Sequence, residues 1–402
     1  MLKKIAVFHF LPIGIALLLF SSLILLTKRE NEDKVSNEII SGEQKNLSGK
    51  AGNLNKRQDE IDFLASLKNP DQLTIFGSSE FSNSPNCPYY FFPDSLGIPM
   101  FGLGHAYHQH LSILIELLAG NSYLNSNSKV CIIISPGWFT KDGTNTEAFV
   151  EFAIPSLLKK IISDSLIEPK YKNVIGEYIS IHHDDFTSMN MEMLFLQDYF
   201  KSQSTTFPSN KINTILGKLK SNLPGSNYAQ ISNLSYDIQL RPKMTSKPWN
   251  GDFKQYASQL QVKELEGMTN NPFYVNNEYY SKHLFKDNKE YEPWSVPGPK
   301  EPNREFMDFK MVVSYLKHKN VQASFVFIPL NPYGYNDLDI NLSLIDSISQ
   351  VLADSNYPLL NMYAATKAEY DPGILKDIMH LSDFGWMRVN EFIYQTYYEN
   401  KN

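Results

Sequence analysis

Val130-Cys131-Ile132-Ile133-Ile134, closed by the turn formers Ser135-Pro136-Gly137, constrains the fold of this chain more than any other feature. A strand with one face in water alternates apolar and polar side chains. A strand with no polar position must be covered on both faces, as the inner strands of parallel sheets are. The pattern recurs in Leu73-Thr74-Ile75-Phe76 before Gly77, in Ala323-Ser324-Phe325-Val326-Phe327-Ile328-Pro329, and over 358–362. Between these runs, helical periodicity occupies 107–119, 306–317 and 342–353. Strand and helix in alternation predict an α/β fold of three layers, with a central, mostly parallel sheet between helices and right-handed crossovers. Ligands of such sheets collect at the carboxyl ends of the strands.

Residues 5–26 are a run of 22 residues without Asp, Glu, Lys or Arg. At about 1.5 Å per residue a helix of that length spans roughly 33 Å, close to the ~30 Å hydrocarbon core of a bilayer. A cleavable signal peptide has a shorter apolar region and small residues before the cut, whereas this run ends Leu25-Leu26-Thr27-Lys28. Residues 1–27 are therefore expected to be an uncleaved single-pass transmembrane anchor. Lys3 and Lys4 precede the run and Lys28 and Arg29 follow it, so the basic flanks nearly cancel. Glu30, Glu32 and Asp33 on the far side favour a cytoplasmic amino terminus with the bulk of the chain extracytoplasmic.

Residues 28–60 contain no Phe, Tyr, Trp, Met or Cys and cannot bury enough apolar area to fold alone, so they are expected to be a polar stalk. Residues 61–402 then form the extracytoplasmic domain, interrupted over 141–303 by a mainly helical insertion. Helical patterns at 147–162, 191–200 and 252–265 lie inside that insertion, followed by an aromatic-rich stretch at 272–294. The aromatics are expected to pack as core or lid, with a glycan- or polyol-facing surface as the alternative.

With 37 Lys and Arg against 43 Asp and Glu, the net charge of -6 argues against a general nucleic-acid binder. Two cysteines, Cys87 and Cys131, exclude a disulfide framework and a cysteine-rich zinc site. His105, His108 and His110 are spaced so that only the first two would share a helix face, with no carboxylate nearby in sequence, and His182-His183-Asp184-Asp185 reads as a polar loop. Neither a metal nor a cofactor is expected.

Two segments carry nucleophilic chemistry. Gly77-Ser78-Ser79-Glu80 follows the first predicted strand, where a glycine permits a sharp turn and a serine can present its hydroxyl, with backbone amides near enough to stabilise an oxyanion. Far downstream, Asp377-Ile378-Met379-His380 places a carboxylate three residues before an imidazole. Such a carboxylate can hold Nδ1–H and leave Nε2 free to take a proton from a serine. The bland reading makes the first segment a capped turn, and the second a helix cap beside a packed histidine. No Gly-x-Ser-x-Gly elbow is present, which argues against an α/β-hydrolase.

A serine after strand one and an Asp-x-x-His before the last helix resemble the SGNH (GDSL-type) hydrolase superfamily. More narrowly, the chain resembles the DltD family. That resemblance rests on the anchor, Gly77-Ser78-Ser79-Glu80, Ser135-Pro136-Gly137-Trp138-Phe139, Ile328-Pro329-Leu330-Asn331, and Asp377-Ile378-Met379-His380-Leu381 with Gly385-Trp386. It implies an SGNH-hydrolase-like fold with Ser79 as nucleophile, His380 as base and Asp377 as its orienter; Ser78 is the neighbour most easily mistaken for the nucleophile. Gly77, Ser78, Gly102, Gly104, Trp138 and Asn331 are the implied oxyanion or substrate candidates. Gly137 stands where the family usually has Gln, and Ser382-Asp383 where it tends to have Gly-Trp.

The resemblance further implies a membrane-anchored serine acyltransferase or esterase serving D-alanyl esterification of lipoteichoic acid. Its partners would be the polymer as acceptor, a D-alanyl donor, the membrane O-acyltransferase DltB and the D-alanyl carrier protein. Two alternatives share the sequence: an SGNH esterase deacylating cell-wall glycans, and a non-catalytic teichoic-acid-binding scaffold.

Overall fold

β1 (Ala51–Gly52), β2 (Leu73–Phe76), β3 (Met100–Leu103), β4 (Lys129–Ile134), β5 (Gln322–Phe327) and β6 (Leu359–Asn361) pair in parallel as one sheet, in the order β1-β3-β2-β4-β5-β6. A computed structural model describes residues 51–52 and 63–399, except 65, 82–83, 105, 154, 183–184, 186–250, 287–288, 297 and 300–301. From β2 the chain steps outward to β3 and then returns past β2 to β4. The winding direction therefore reverses between β2 and β4, the point at whose carboxyl edge ligands of such sheets collect.

Both faces of the sheet are apolar, as continuous runs require. Phe76, Val130, Ile132, Ile134, Phe325 and Phe327 belong to one core cluster, and Leu73, Ile75, Cys131, Ile133 and Val326 to another. The longer helices among the described residues are α1 (His110–Ala119), α2 (Thr146–Phe152), α3 (Pro155–Ser163), α4 (Pro169–Ile181), α5 (Phe253–Glu266), α6 (Arg304–His318), α7 (Leu342–Asp354) and α8 (Asp383–Tyr397). α1, α3, α4, α6 and α7 contribute to the first cluster, α5 and α8 to the second. Each fully buried Ile, Val or Phe contributes about 1.5–3 kcal/mol relative to exposure, so the covered sheet is the main source of stability. This is the expected three-layer α/β arrangement with a parallel central sheet.

The predicted strands and helices that fall on described residues reappear with ends shifted by a few residues, and β1, β3 and α4 are additions. Met100-Phe101-Gly102-Leu103 is short and holds a glycine, which weakens a strand signal. Helix 107–119 starts instead at His110, because Tyr107 has a φ of 65° and cannot be helical. The single helical pattern over 147–162 divides into α2 and α3, the second opening at Pro155, which lacks an amide hydrogen and is tolerated at a helix start but not in its interior. Asn145 caps α2 by accepting from the Glu147 and Ala148 amides at 2.9 and 3.1 Å.

The aromatic stretch forms short elements rather than a helix: a turn of helix at Asn277–Tyr279, a π-helical turn at Tyr280–Leu284, and small strand pairs involving Phe285–Lys286 and Trp294–Ser295. Phe273, Val275, Leu284 and Val296 join Leu330, Tyr335, Leu338 and Ile378 in a satellite core. Ile378 lies in the segment that carries His380, so the insertion packs against the loop that bears the imidazole. The expected helix at 191–200, the anchor 1–27 and the stalk 28–60 lie outside the described residues, save Ala51–Gly52 at the sheet edge. Among the described residues no helix is long and apolar enough to cross a membrane.

Candidate active site

β2 ends at Phe76, and the chain reverses in a turn closed by the Phe81 amide donating to the Ser78 carbonyl at 3.3 Å. The turn lies at the carboxyl end of a strand flanking the point where the sheet reverses. It exposes Ser79 and buries Ser78 and Glu80 on either side. Among the described residues the next helix starts at Pro88. The turn is therefore held by side chains instead. His108 Nδ1 donates to the Gly77 carbonyl at 2.8 Å, and its Nε2 meets the Glu116 carboxyl at 2.9 Å. The Ser78 amide donates to Glu80 Oε2 at 2.7 Å. Burial pushes the carboxyls of Glu80 and Glu116 up from their ordinary range, against the pull of nearby imidazoles.

The imidazole comes from the other end of the chain. After β6 the segment 375–381 closes on itself through a Leu375–Leu381 bridge and a Lys376 amide bond to the His380 carbonyl at 2.9 Å. Within it, Asp377 Oδ1 accepts from the Met379 and His380 amides at 2.9 and 2.7 Å, and Oδ2 accepts from His380 Nδ1 at 2.9 Å. Burial opposes the Asp377 charge, but the His380 imidazole and the two amides outweigh it and hold the carboxyl below its ordinary value. His380 Nε2 lies 3.3 Å from Ser79 Oγ, so with Nδ1 protonated Nε2 can accept from the hydroxyl. Ser79, His380 and Asp377 thus form one hydrogen-bonded chain spanning 301 residues of sequence separation between serine and histidine.

The remaining sequence-predicted candidates are placed differently. Gly77 abuts Phe81, where an added Cβ would lie 2.7 Å from the ring, and its amide bonds the Leu103 carbonyl at 3.1 Å. Ser78 has its amide on Glu80, so that amide faces away from the role of oxyanion donor. Gly102 lies inside β3, in register with Ile75 and Ala51. Gly104 follows β3 with a φ of 150°, and a Cβ there would sit 2.0 Å from the Gly77 carbonyl oxygen, so only glycine permits this approach to the serine turn. Trp138 is buried 5.3 Å from the His110 ring, and its carbonyl accepts from Gln109. Asn331 is buried and points to no open space: its amide bonds the Ile378 carbonyl at 3.1 Å, its Nδ2 the Phe273 carbonyl at 2.8 Å, and its Oδ1 accepts from the Tyr333 amide at 2.8 Å. It braces the histidine loop.

Of the three histidines weighed as metal ligands, His108 and His110 meet separate carboxylates, Glu116 and Glu305. His110 Nδ1 and its amide both donate to Glu305 Oε1, at 2.7 and 2.9 Å, joining α1 to α6. His105 lies outside the described residues. His182 pairs with Asp185 at 3.3 Å, while His183 and Asp184 lie outside the described residues. Cys87 and Cys131 are buried and are not joined in a disulfide. The sequence favours a supporting or pocket-lining role for His108, but its partner Glu116, and Glu80 as a support of the serine turn, escaped sequence reasoning. Glu80 stood in the quoted motif, but nothing in the spacing of His108 and Glu116 signals a bond to the Gly77 carbonyl.

The molecule is thus an α/β protein with a parallel central sheet, in which a serine, a histidine and an aspartate are joined by hydrogen bonds at the carboxyl end of a strand. The chain matches the DltD family, described as DltD protein, over residues 53–398, and it belongs to that family. It is 23% identical to Protein DltD of Bacillus subtilis (strain 168) over 83% of this chain and 84% of that protein. It is 21% identical to Protein DltD of Staphylococcus aureus (strain NCTC 8325 / PS 47), over 96% of this chain and 94% of that one.

Proposed function

We propose that this protein is a membrane-anchored, extracytoplasmic serine acyltransferase that esterifies lipoteichoic acid with D-alanine. The DltD family is involved in D-alanylation of teichoic acids, and that supplies the substrate class. The observation that carries the chemistry is the Ser79 Oγ to His380 Nε2 approach of 3.3 Å, with Nδ1 held by Asp377 at 2.9 Å. An exposed hydroxyl beside an oriented imidazole suits nucleophilic catalysis.

In the proposed reaction Ser79 Oγ attacks the carbonyl of an activated D-alanyl ester or thioester while His380 Nε2 takes the hydroxyl proton. Asp377 stabilises the resulting imidazolium. His380 returns the proton to the leaving oxygen or sulfur, leaving D-alanyl-Ser79. A hydroxyl of the polymer then gives its proton to Nε2 and attacks the acyl group, and Ser79 Oγ leaves with that proton. The Ser79 and Gly104 amides are the oxyanion donors we assign, because Gly104 approaches the serine turn as closely as a residue without Cβ can. The apolar run 5–26 serves as the anchor in this reading, and the donor reaches Ser79 through the membrane O-acyltransferase DltB and the D-alanyl carrier protein.

Replacing Ser79 with Ala tests the assignment in cells. Surface D-alanine esters should fall to the level of a strain lacking the protein, with the variant present in the membrane at normal abundance. Unchanged ester content would refute it.

A further inference from the structure

Tyr107, Tyr274, Asn320, Asp337 and Asn356 are the non-glycine residues with positive φ among the described residues. Asparagine and aspartate adopt this conformation readily; a tyrosine does so at a cost, and such costs concentrate at functional sites. At Tyr274, where φ is 52°, the loop is imposed by Asn271, whose Oδ1 accepts from the Phe273 and Val275 amides at 3.1 and 3.2 Å. The result is a partly exposed ring stationed 4.9 Å from the ring of Tyr333.

These two rings line a groove of about 550 Å³ together with Met268, Asn271 and Pro272. Its walls are fastened to the loop that carries His380. The Asn276 amide bonds the Lys376 carbonyl at 2.9 Å, Asn331 links the Tyr333 amide to the Ile378 carbonyl, and a Cβ on Gly334 would lie 2.6 Å from Ile378. Lys367 Nζ stands 4.8 Å above the Tyr333 ring, which brings a cation to the rim of an otherwise uncharged groove.

We propose that this groove seats the acceptor polymer: the carbon faces of one polyol-phosphate unit rest on Tyr274 and Tyr333, and the adjoining phosphodiester pairs with Lys367. Aromatic faces match the C–H surface of a polyol, and a rim lysine matches a repeating anion. The proposal rests on the acyl-transfer reading above, and deepens it by naming where the second substrate lies.

The test uses the full chain in detergent, a soluble poly(glycerol phosphate) oligomer as binding probe, and a fluorophosphonate that labels an activated serine. Tyr274→Ala should weaken oligomer binding about tenfold, Tyr274→Phe should retain it, and Lys367→Gln should weaken it and flatten its dependence on salt. All three should label at Ser79 as fast as the unaltered protein, and Tyr274→Gly should melt no lower, because glycine relieves the backbone. Equal binding by every variant, or no binding by the unaltered protein, overturns the groove while leaving labelling and the acyl-transfer reading standing. Binding lost in the variants without any labelling of the unaltered protein would keep the groove as a polymer site and remove the enzyme.

Discussion

Asp377 carries three hydrogen bonds in a segment of four residues, and its effect on pH dependence has a definite sign. Its folded-state carboxyl titrates below the ordinary value, so its contribution is complete above the ordinary carboxylate range and is lost as pH falls through the lowered value. Asp377→Asn removes that contribution. In urea titrations the stability gap between the two proteins should be widest near neutral pH and narrow on acidification; a gap independent of pH would contradict the assignment. His108 acts at the same scale from beneath the serine turn. His108→Phe removes the donor to the Gly77 carbonyl and leaves buried Glu116 without its partner. Stopped-flow labelling of Ser79 should slow while far-ultraviolet circular dichroism stays native, with stability reduced by about 1–3 kcal/mol. His108→Gln, which can still donate, should recover part of the labelling rate.

At the scale of elements, the His380 loop and α8 are joined by Ser382. Its hydroxyl caps the helix by accepting from the Gly385 amide at 3.1 Å and donates to the Gly373 carbonyl at 2.5 Å. Ser382→Ala should cost about 1 kcal/mol in a chemical denaturation experiment and should slow labelling of Ser79, because the helix start fixes the loop before it. The elements themselves were readable where burial on both faces left a continuous apolar run, as in β4 and β5. They were unreadable where a strand is short and glycine-bearing, as in β3, or where loop residues bond across the chain. The Asp377–His380 pair was legible because both members lie in one short loop, whose geometry follows from local spacing. Which backbone amides near the serine stay open was not legible in the same way. Whether an amide is open depends on partners such as Glu80 for Ser78 and the β2 and β1 ladders for Gly102, which tertiary contacts decide.

At the scale of the whole molecule, the site exists because two ends of the domain are knitted together. Ser84 Oγ donates to Asp383 Oδ1, and Asn390 Nδ2 donates to the Asn86 carbonyl at 2.8 Å. The Phe81 ring packs 6.4 Å from that of fully buried Trp386. These contacts tie the segment after β2 to α8, so the serine and the histidine approach each other only when the last helix has docked. Trp386→Ala should cost about 3–5 kcal/mol and lower the melting temperature. Labelling of Ser79 should disappear along the same thermal transition, not before it. The three-layer α/β arrangement sets the serine turn at the carboxyl end of β2, and the satellite core of the insertion packs against the loop that bears His380.

The proposed mechanism requires a covalent bond to one oxygen atom, Ser79 Oγ. Peptide mass spectrometry of the full chain, quenched in acid after incubation with an activated D-alanyl thioester and without polymer, measures it directly. The peptide containing Ser79 should gain the mass of one alanyl group, and His380→Ala should abolish that gain. A modification elsewhere, or none on a folded protein whose donor is consumed, would contradict the account.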